Sequence, residues 1–153
     1  MSLAENYAKE IKAESPYSIV KIPRDKIQTV WRACVPLLEV GLSVAPELKM
    51  ESVIDGLADE SIQLWVVLED ADDNGSELVA VFLTSIERDR SEWVVSLYAM
   101  SGRSPREWLG ECDRMMQSFA VAEDAKRIRM CGRKAWLRLL PKQFAITGVR
   151  SGH

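Results

Sequence analysis

The chain has 153 residues, a formal net charge of −3 and 47% hydrophobic residues, which fits one domain with a real core and excludes wholesale disorder. No apolar run approaches the roughly 20 residues needed to span a bilayer, and Met1–Asn6 lacks a charged-then-apolar signal pattern. The cysteines, Cys34, Cys112 and Cys131, are odd in number and widely spaced, so neither a zinc site nor a disulfide framework is indicated and a reducing compartment is expected.

Residues 1–16 read as an arm, with Leu3, Tyr7 and Ile11 recurring every four residues as one weak helical stripe. Ser15-Pro16 ends it, because proline pushes its predecessor out of the helical region. A single domain is expected over 17–153. Tyr17–Ile22 alternates and is β-rich, hence a first strand. Pro23 and Asp25 suit the start of a helix, whose apolar face holds Ile27, Val30, Trp31, Cys34, Leu37 and Leu38. Pro36 is expected to kink this helix and Gly41 to stop it. Glu47–Leu57 offers a second, shorter helix.

Two apolar strands follow, Ile62–Glu69 and Leu78–Ile86, whose lack of alternation predicts a sheet covered on both sides. The linker from Asp70 to Ser76 predicts a hairpin loop, with Asn74-Gly75 supplying positive φ. Its Asp70-x-Asp72-x-Asn74-Gly75 matches half of a calcium loop. Val81 stands where the bidentate glutamate is needed, so an acidic turn is the reading and no metal is expected. Arg88–Ser91 is the next tight connection and Glu92–Met100 the third strand. An amphipathic helix runs from about Ser104 to Ala122, then come a strand at Arg127–Cys131, a short helix around Lys134–Leu140 and a last strand at Phe144–Ile146. The fold class is therefore α/β (α+β), in the order β-α-α-β-β-β-α-β-α-β. One core is expected to hold Val66, Val81, Leu83, Val95, Leu97, Trp108, Phe119 and Trp136.

This order resembles the GNAT family of N-acetyltransferases over about residues 17–150, and the resemblance implies a mixed sheet with helices on both faces. It also implies where coenzyme A would sit: a glycine-rich turn after the third meander strand, Gln/Arg-x-x-Gly-x-Gly/Ala, whose amides approach a pyrophosphate at a helix N-terminus. Here the turn is Ser101-Gly102-Arg103-Ser104-Pro105-Arg106-Glu107-Trp108. Reading from Arg103, the glycine positions fall on Arg106 and Trp108; from Arg106, on Leu109 and Glu111. Pro105 removes another donor, and Ser104-Pro105 reads instead as the cap and start of a helix with Glu107 in its first turn. If coenzyme A bound, Gly102, Arg103 and Arg106 would carry it. The family's tyrosine, four residues before a Gly-Phe pair, is replaced by Leu139, and Gln143-Phe144 stands for the pair. Leucine cannot protonate a leaving thiolate. His153 is the sole histidine. No catalytic residue and no cofactor is expected. Glu87 and Glu92 read as solvated hairpin charges, and Tyr98 as a packing residue that could face the cleft.

Charge is uneven along the chain. Residues 1–100 hold 9 Lys+Arg against 18 Asp+Glu, and residues 101–153 hold 11 against 5. Lys126, Arg127, Arg129, Arg133, Lys134, Arg138 and Lys142 fall within seventeen residues. Trp136 is the one aromatic inside that cluster, so a solvated or protein-docking face is preferred to a nucleic-acid surface. Gln63-Leu64-Trp65-Val66, Ala120 to Ala125, and Cys131-Gly132-Arg133-Lys134-Ala135-Trp136-Leu137-Arg138 together resemble a set of small GNAT-like proteins of tailed bacteriophages. That resemblance implies a non-enzymatic structural protein, made in the host cytoplasm and located in the virion. Its partners would be other virion proteins and copies of itself, with no membrane. The contact residues would be Leu3, Tyr7, Ile11, Arg127, Arg129, Arg133, Lys134 and Arg138. A divergent acyl-CoA-dependent acetyltransferase is the alternative, and a small regulatory or nucleic-acid-associated module the third reading.

Overall fold

The computed structural model describes residues 15–45, 48–71, 75–131 and 150–151. Strand β1 (Tyr17–Lys21) leads through a short 3-10 turn at Arg24–Lys26 into helix α1 (Ile27–Ser43) and helix α2 (Met50–Asp59). Strands β2 (Ile62–Ala71), β3 (Gly75–Asp89) and β4 (Glu92–Gly102) form the meander. Helix α3 (Pro105–Ala122) and strands β5 (Arg127–Met130) and β6 (Arg150–Ser151) complete the order. The sheet runs β1-β2-β3-β4-β5-β6, antiparallel through β4 and parallel from β4 to β6. The expected helix at Lys134–Leu140, the strand at Phe144–Ile146 and Trp136 lie outside the described residues, as do residues 1–14 of the arm.

The meander turns follow sequence chemistry. Gly75 has φ 84° where β3 begins, and Arg90 carries φ 59° in the two-residue turn joining Asp89 to Glu92. Ile62–Ala71 and Gly75–Asp89 are longer than their apolar runs, because the polar ends continue the antiparallel ladder into the hairpins.

Two cores replace the single expected one, since a sheet apolar on both faces must be covered twice. On one face Leu64, Val66, Val81 and Leu83 meet Cys34 and Leu38 of α1 and Val53 and Leu57 of α2. On the other, Trp65, Phe82, Val95 and Leu97 meet Trp108, Cys112, Met116 and Phe119 of α3. Trp65 stacks on Phe82 at 5.7 Å and meets Phe119 edge-on at 5.1 Å, geometries favoured by the ring quadrupole. Its buried indole nitrogen donates to Thr84 Oγ1 at 2.9 Å, and Thr84 donates in turn to Gln63 Oε1 at 2.7 Å. A polar group inside this core is thus satisfied.

Gly41 does not stop α1. The helix continues to Ser43, and Gly41 is buried where a Cβ would come within 3.0 Å of the Ala99 backbone. Ala99 is the extra residue of a β-bulge: Leu83 pairs with Tyr98, but Val81 pairs with Ser101. Its φ of 58° marks the local reversal of such bulges. Glycine at 41 thus serves close approach rather than termination.

Candidate functional site

The bulge lies where β4 and β5 part company. Their parallel pairing runs from Val94–Arg127 to Leu97–Met130, closed by the Cys131 amide donating to Leu97 O at 2.9 Å. Beyond Leu97, β4 continues to Gly102 without a described partner on that side. A cavity of about 360 Å³ opens there, lined by Ala45, Leu48, Glu87, Ser96, Tyr98, Arg129 and Cys131.

Strand alternation puts its polar groups on one face. Ser96 Oγ donates to Glu87 Oε2 at 2.5 Å. Arg129 donates to Ser96 Oγ from Nη2 at 3.0 Å and Nε at 3.2 Å, and Nη2 also pairs with Glu87 Oε2. Burial raises the Tyr98 phenol above its ordinary value, with the Ser85 hydroxyl opposing that shift. Ser85 Oγ is itself buried without a well-formed hydrogen bond.

A larger hollow, about 900 Å³, opens between the end of β1, the start of α1 and the end of α2, with Lys21, Arg24, Gln28, Glu60 and Gln63 among its walls. Its Arg24–Glu60 pair is 3.8 Å long and mostly solvated, so such a pair orients little. The smaller cleft has the convergent, partly buried polar groups that a recognition site needs.

The turn after β4 is built differently from a phosphate cradle. Gly102 is required for packing: its φ is 156°, and a Cβ would overlap Val79 O and Ala80. The Arg103 amide donates to Val79 O at 3.1 Å, and its guanidinium turns back over the sheet to Glu69 at 3.2 Å and Glu77 at 3.5 Å. Ser104, the residue before α3, has φ 57° and makes no side-chain cap, which corrects the expectation of serine capping. Pro105 does open the helix. The Glu107 amide bonds Ser104 O, while the Glu107 carboxylate accepts from the Tyr17 hydroxyl. The indole of Trp108 donates to Arg103 O at 2.7 Å. A carboxylate therefore stands in the helix's first turn, and two of the local amides are already spent. Arg106 is exposed there without an ion pair among the described residues.

Of the proposed contact residues, Arg127 and Arg129 are described, and they share one strand face as expected. Both are engaged within the chain. Arg127 pairs with Asp89 at 2.6 Å and Glu92 at 3.1 Å, and Arg129 pairs with Glu87. Glu87 and Glu92 are thus not merely solvated, because the parallel register sets β5 beside them. Arg127 holds the Asp89 carboxyl below its ordinary value. Leu3, Tyr7, Ile11, Arg133, Lys134, Arg138, Leu139, Gln143 and Phe144 lie outside the described residues. Ser96 had one available signal, a lone serine in an otherwise apolar strand, Trp93–Met100. Among the described residues no three His, Cys, Asp or Glu side chains gather as a metal site, and no helix is long and apolar enough to cross a membrane.

These features define a GNAT-like fold, and solved structures agree. The chain is similar to an aminoglycoside acetyltransferase from an uncultured soil metagenomic sample, with TM-score 0.57 and 11% identity over 90% of this chain and 93% of that one. It is similar to glucosamine-6-phosphate N-acetyltransferase from Arabidopsis thaliana, with TM-score 0.55 and 10% identity over 90% and 93%. A Trypanosoma brucei acetyltransferase aligns with TM-score 0.54 and 14% identity over 90% and 94%. At these identities the likeness is one of fold. No protein-family model matches the chain, and no curated protein matches it.

Proposed function

We propose that this chain is a GNAT-fold protein that works through protein contacts, as a structural component of a tailed-phage virion, rather than by transferring an acetyl group. The observation carrying the non-enzymatic half is the turn after β4. The Arg103 amide is bonded to Val79 O, the Arg103 guanidinium is drawn to Glu69 and Glu77, and the Glu107 carboxylate occupies the first turn of α3. A pyrophosphate would meet a negative side chain and a reduced set of amides at the one place where helix geometry favours anions. The virion half is supported by the resemblance of Cys131–Arg138 and its companion segments to small phage proteins. Mass spectrometry of purified particles of a phage encoding the chain should find it in multiple copies, and its absence would defeat the virion role.

A divergent acyltransferase is the second reading, favoured by the cleft itself. Tyr98 and Cys131 flank the point where β4 and β5 separate, and a thioester would need polar groups there. The two readings part on acetyl-coenzyme A binding.

A further inference from the structure

The cleft at the parting of β4 and β5 has hydrogen-bonding capacity that the described residues do not use. Arg129 spends Nε and Nη2 on Ser96 and Glu87, which leaves both Nη1 protons without a described acceptor. Among the described residues Glu87 accepts through Oε2 alone, which leaves Oε1 without a described donor. These two groups sit side by side, one donor and one acceptor, and both are partly exposed. Tyr98 adds a phenol beside them, and Ala45 and Leu48 supply an apolar wall.

The charges of Glu87 and Arg129 cancel. A free carboxylate entering the cleft would bind Arg129 but face Glu87, and an ammonium would do the reverse, so like-charge repulsion disfavours each. A neutral group with an acceptor next to a donor meets neither penalty. Its carbonyl oxygen would accept from Arg129 Nη1 and its N–H would donate to Glu87 Oε1, as donor and acceptor inventories require.

We infer that this cleft recognises a carboxamide, the side chain of an asparagine or glutamine presented by a partner protein. The inference rests on the reading of the chain as one that works through contacts. A cavity of about 360 Å³ has room for such a side chain with its flanking backbone. Glutamine can satisfy the ion pair's spare donor and acceptor without breaking it, whereas a purely apolar side chain would leave them desolvated and unpaired.

The test is titration of the isotope-labelled full chain, followed by NMR, with three probes of one backbone: N-acetyl-glutamine N-methylamide and its glutamate and lysine counterparts. The glutamine probe should shift the Ser96, Tyr98 and Arg129 signals and saturate in the millimolar range expected of so small a ligand. The two charged probes should bind at least about tenfold more weakly, since a misplaced hydrogen bond to a charged group is costly. Glu87→Gln removes the negative charge and should reverse the order, so that the glutamate probe binds best. Tyr98→Phe, which touches neither ion pair, should weaken the glutamine probe by about three- to tenfold. Equal binding of all three probes, binding of none, or an unchanged order in Glu87→Gln would overturn the inference. Displacement of a bound glutamine probe by acetyl-coenzyme A would instead defeat the non-enzymatic reading and leave carboxamide recognition standing.

Discussion

Gly41 of α1 lies against the backbone of Ala99, the bulged residue of β4, so closely that any Cβ at position 41 would overlap the Ala99 carbonyl. The contact joins helix packing to the feature that turns β4 away from β5. Gly41→Ala should therefore push either α1 or the bulge. Overpacking of this kind costs about 1–3 kcal/mol, even though alanine favours the helix by up to about 1 kcal/mol over glycine. Urea unfolding should show a lower midpoint with an unchanged slope. A more stable variant would mean that the approach is looser than described.

Trp108 binds α3 to the turn that precedes it. It is fully buried, and its indole nitrogen satisfies Arg103 O. Trp108→Ala should cost about 3–5 kcal/mol. Trp108→Phe should cost less, chiefly the lost hydrogen bond and some volume. Chemical denaturation of the two variants measures the difference, and equal losses would deny the indole bond a role.

The ion pairs on β5 predict a pH dependence. Arg127 lowers the Asp89 pKa, so the folded state holds that carboxylate more strongly than the unfolded chain does. The contribution is present above the unfolded carboxylate pKa and is lost as pH falls through the lowered folded value. Arg127→Met should thus lower the melting temperature at pH 7 and differ less from wild type once the pH falls below the ordinary carboxylate range. A gap that stays constant across this window would remove Asp89 as the partner that matters.

Tyr17 predicts the opposite limb. Its hydroxyl donates to Glu107, which with the neighbouring negative charge raises the phenol to about 12. A raised acid contributes stability below its unfolded pKa of about 10 and loses it as pH climbs toward 12. The pair is solvent-accessible, so Tyr17→Phe should cost less than about 1 kcal/mol at pH 7. The difference should shrink above pH 10. Ultraviolet titration of the tyrosines should show two late phenols, Tyr17 and Tyr98, of which the variant keeps only that of Tyr98.

The three cysteines should differ in reactivity. Cys34 and Cys112 are buried, and burial raises both thiols, Cys34 to about 11. Cys131 is partly exposed at the cleft mouth. Brief alkylation of the native protein should label Cys131 first, with the other two reacting only on unfolding. Mass mapping of the labelled peptides reads this directly.

Much of the fold was legible in the sequence because its signals are local. Apolar runs bounded by Asn74-Gly75 and Arg90-Ser91 announced the meander, and Pro105 announced the start of α3. What escaped depends on register and contact. Gly41 looks like a helix stop until Ala99 is brought against it, and one core becomes two only when strand alternation assigns Val66 and Trp65 to opposite faces. The site was harder still. Glu87, Ser96 and Arg129 are 42 residues apart end to end, and they converge only through the parallel pairing of β4 with β5. The missing glycines after Gly102, by contrast, could be read from spacing alone, because a backbone cradle needs them at fixed offsets.

Calorimetric titration of the isolated protein with acetyl-coenzyme A tests the central claim most directly. A turn with Glu107 in its first helical turn and the Arg103 amide spent on Val79 predicts no saturable heat through the millimolar range. A micromolar dissociation constant, abolished by Arg103→Ala or Arg106→Ala, would contradict it.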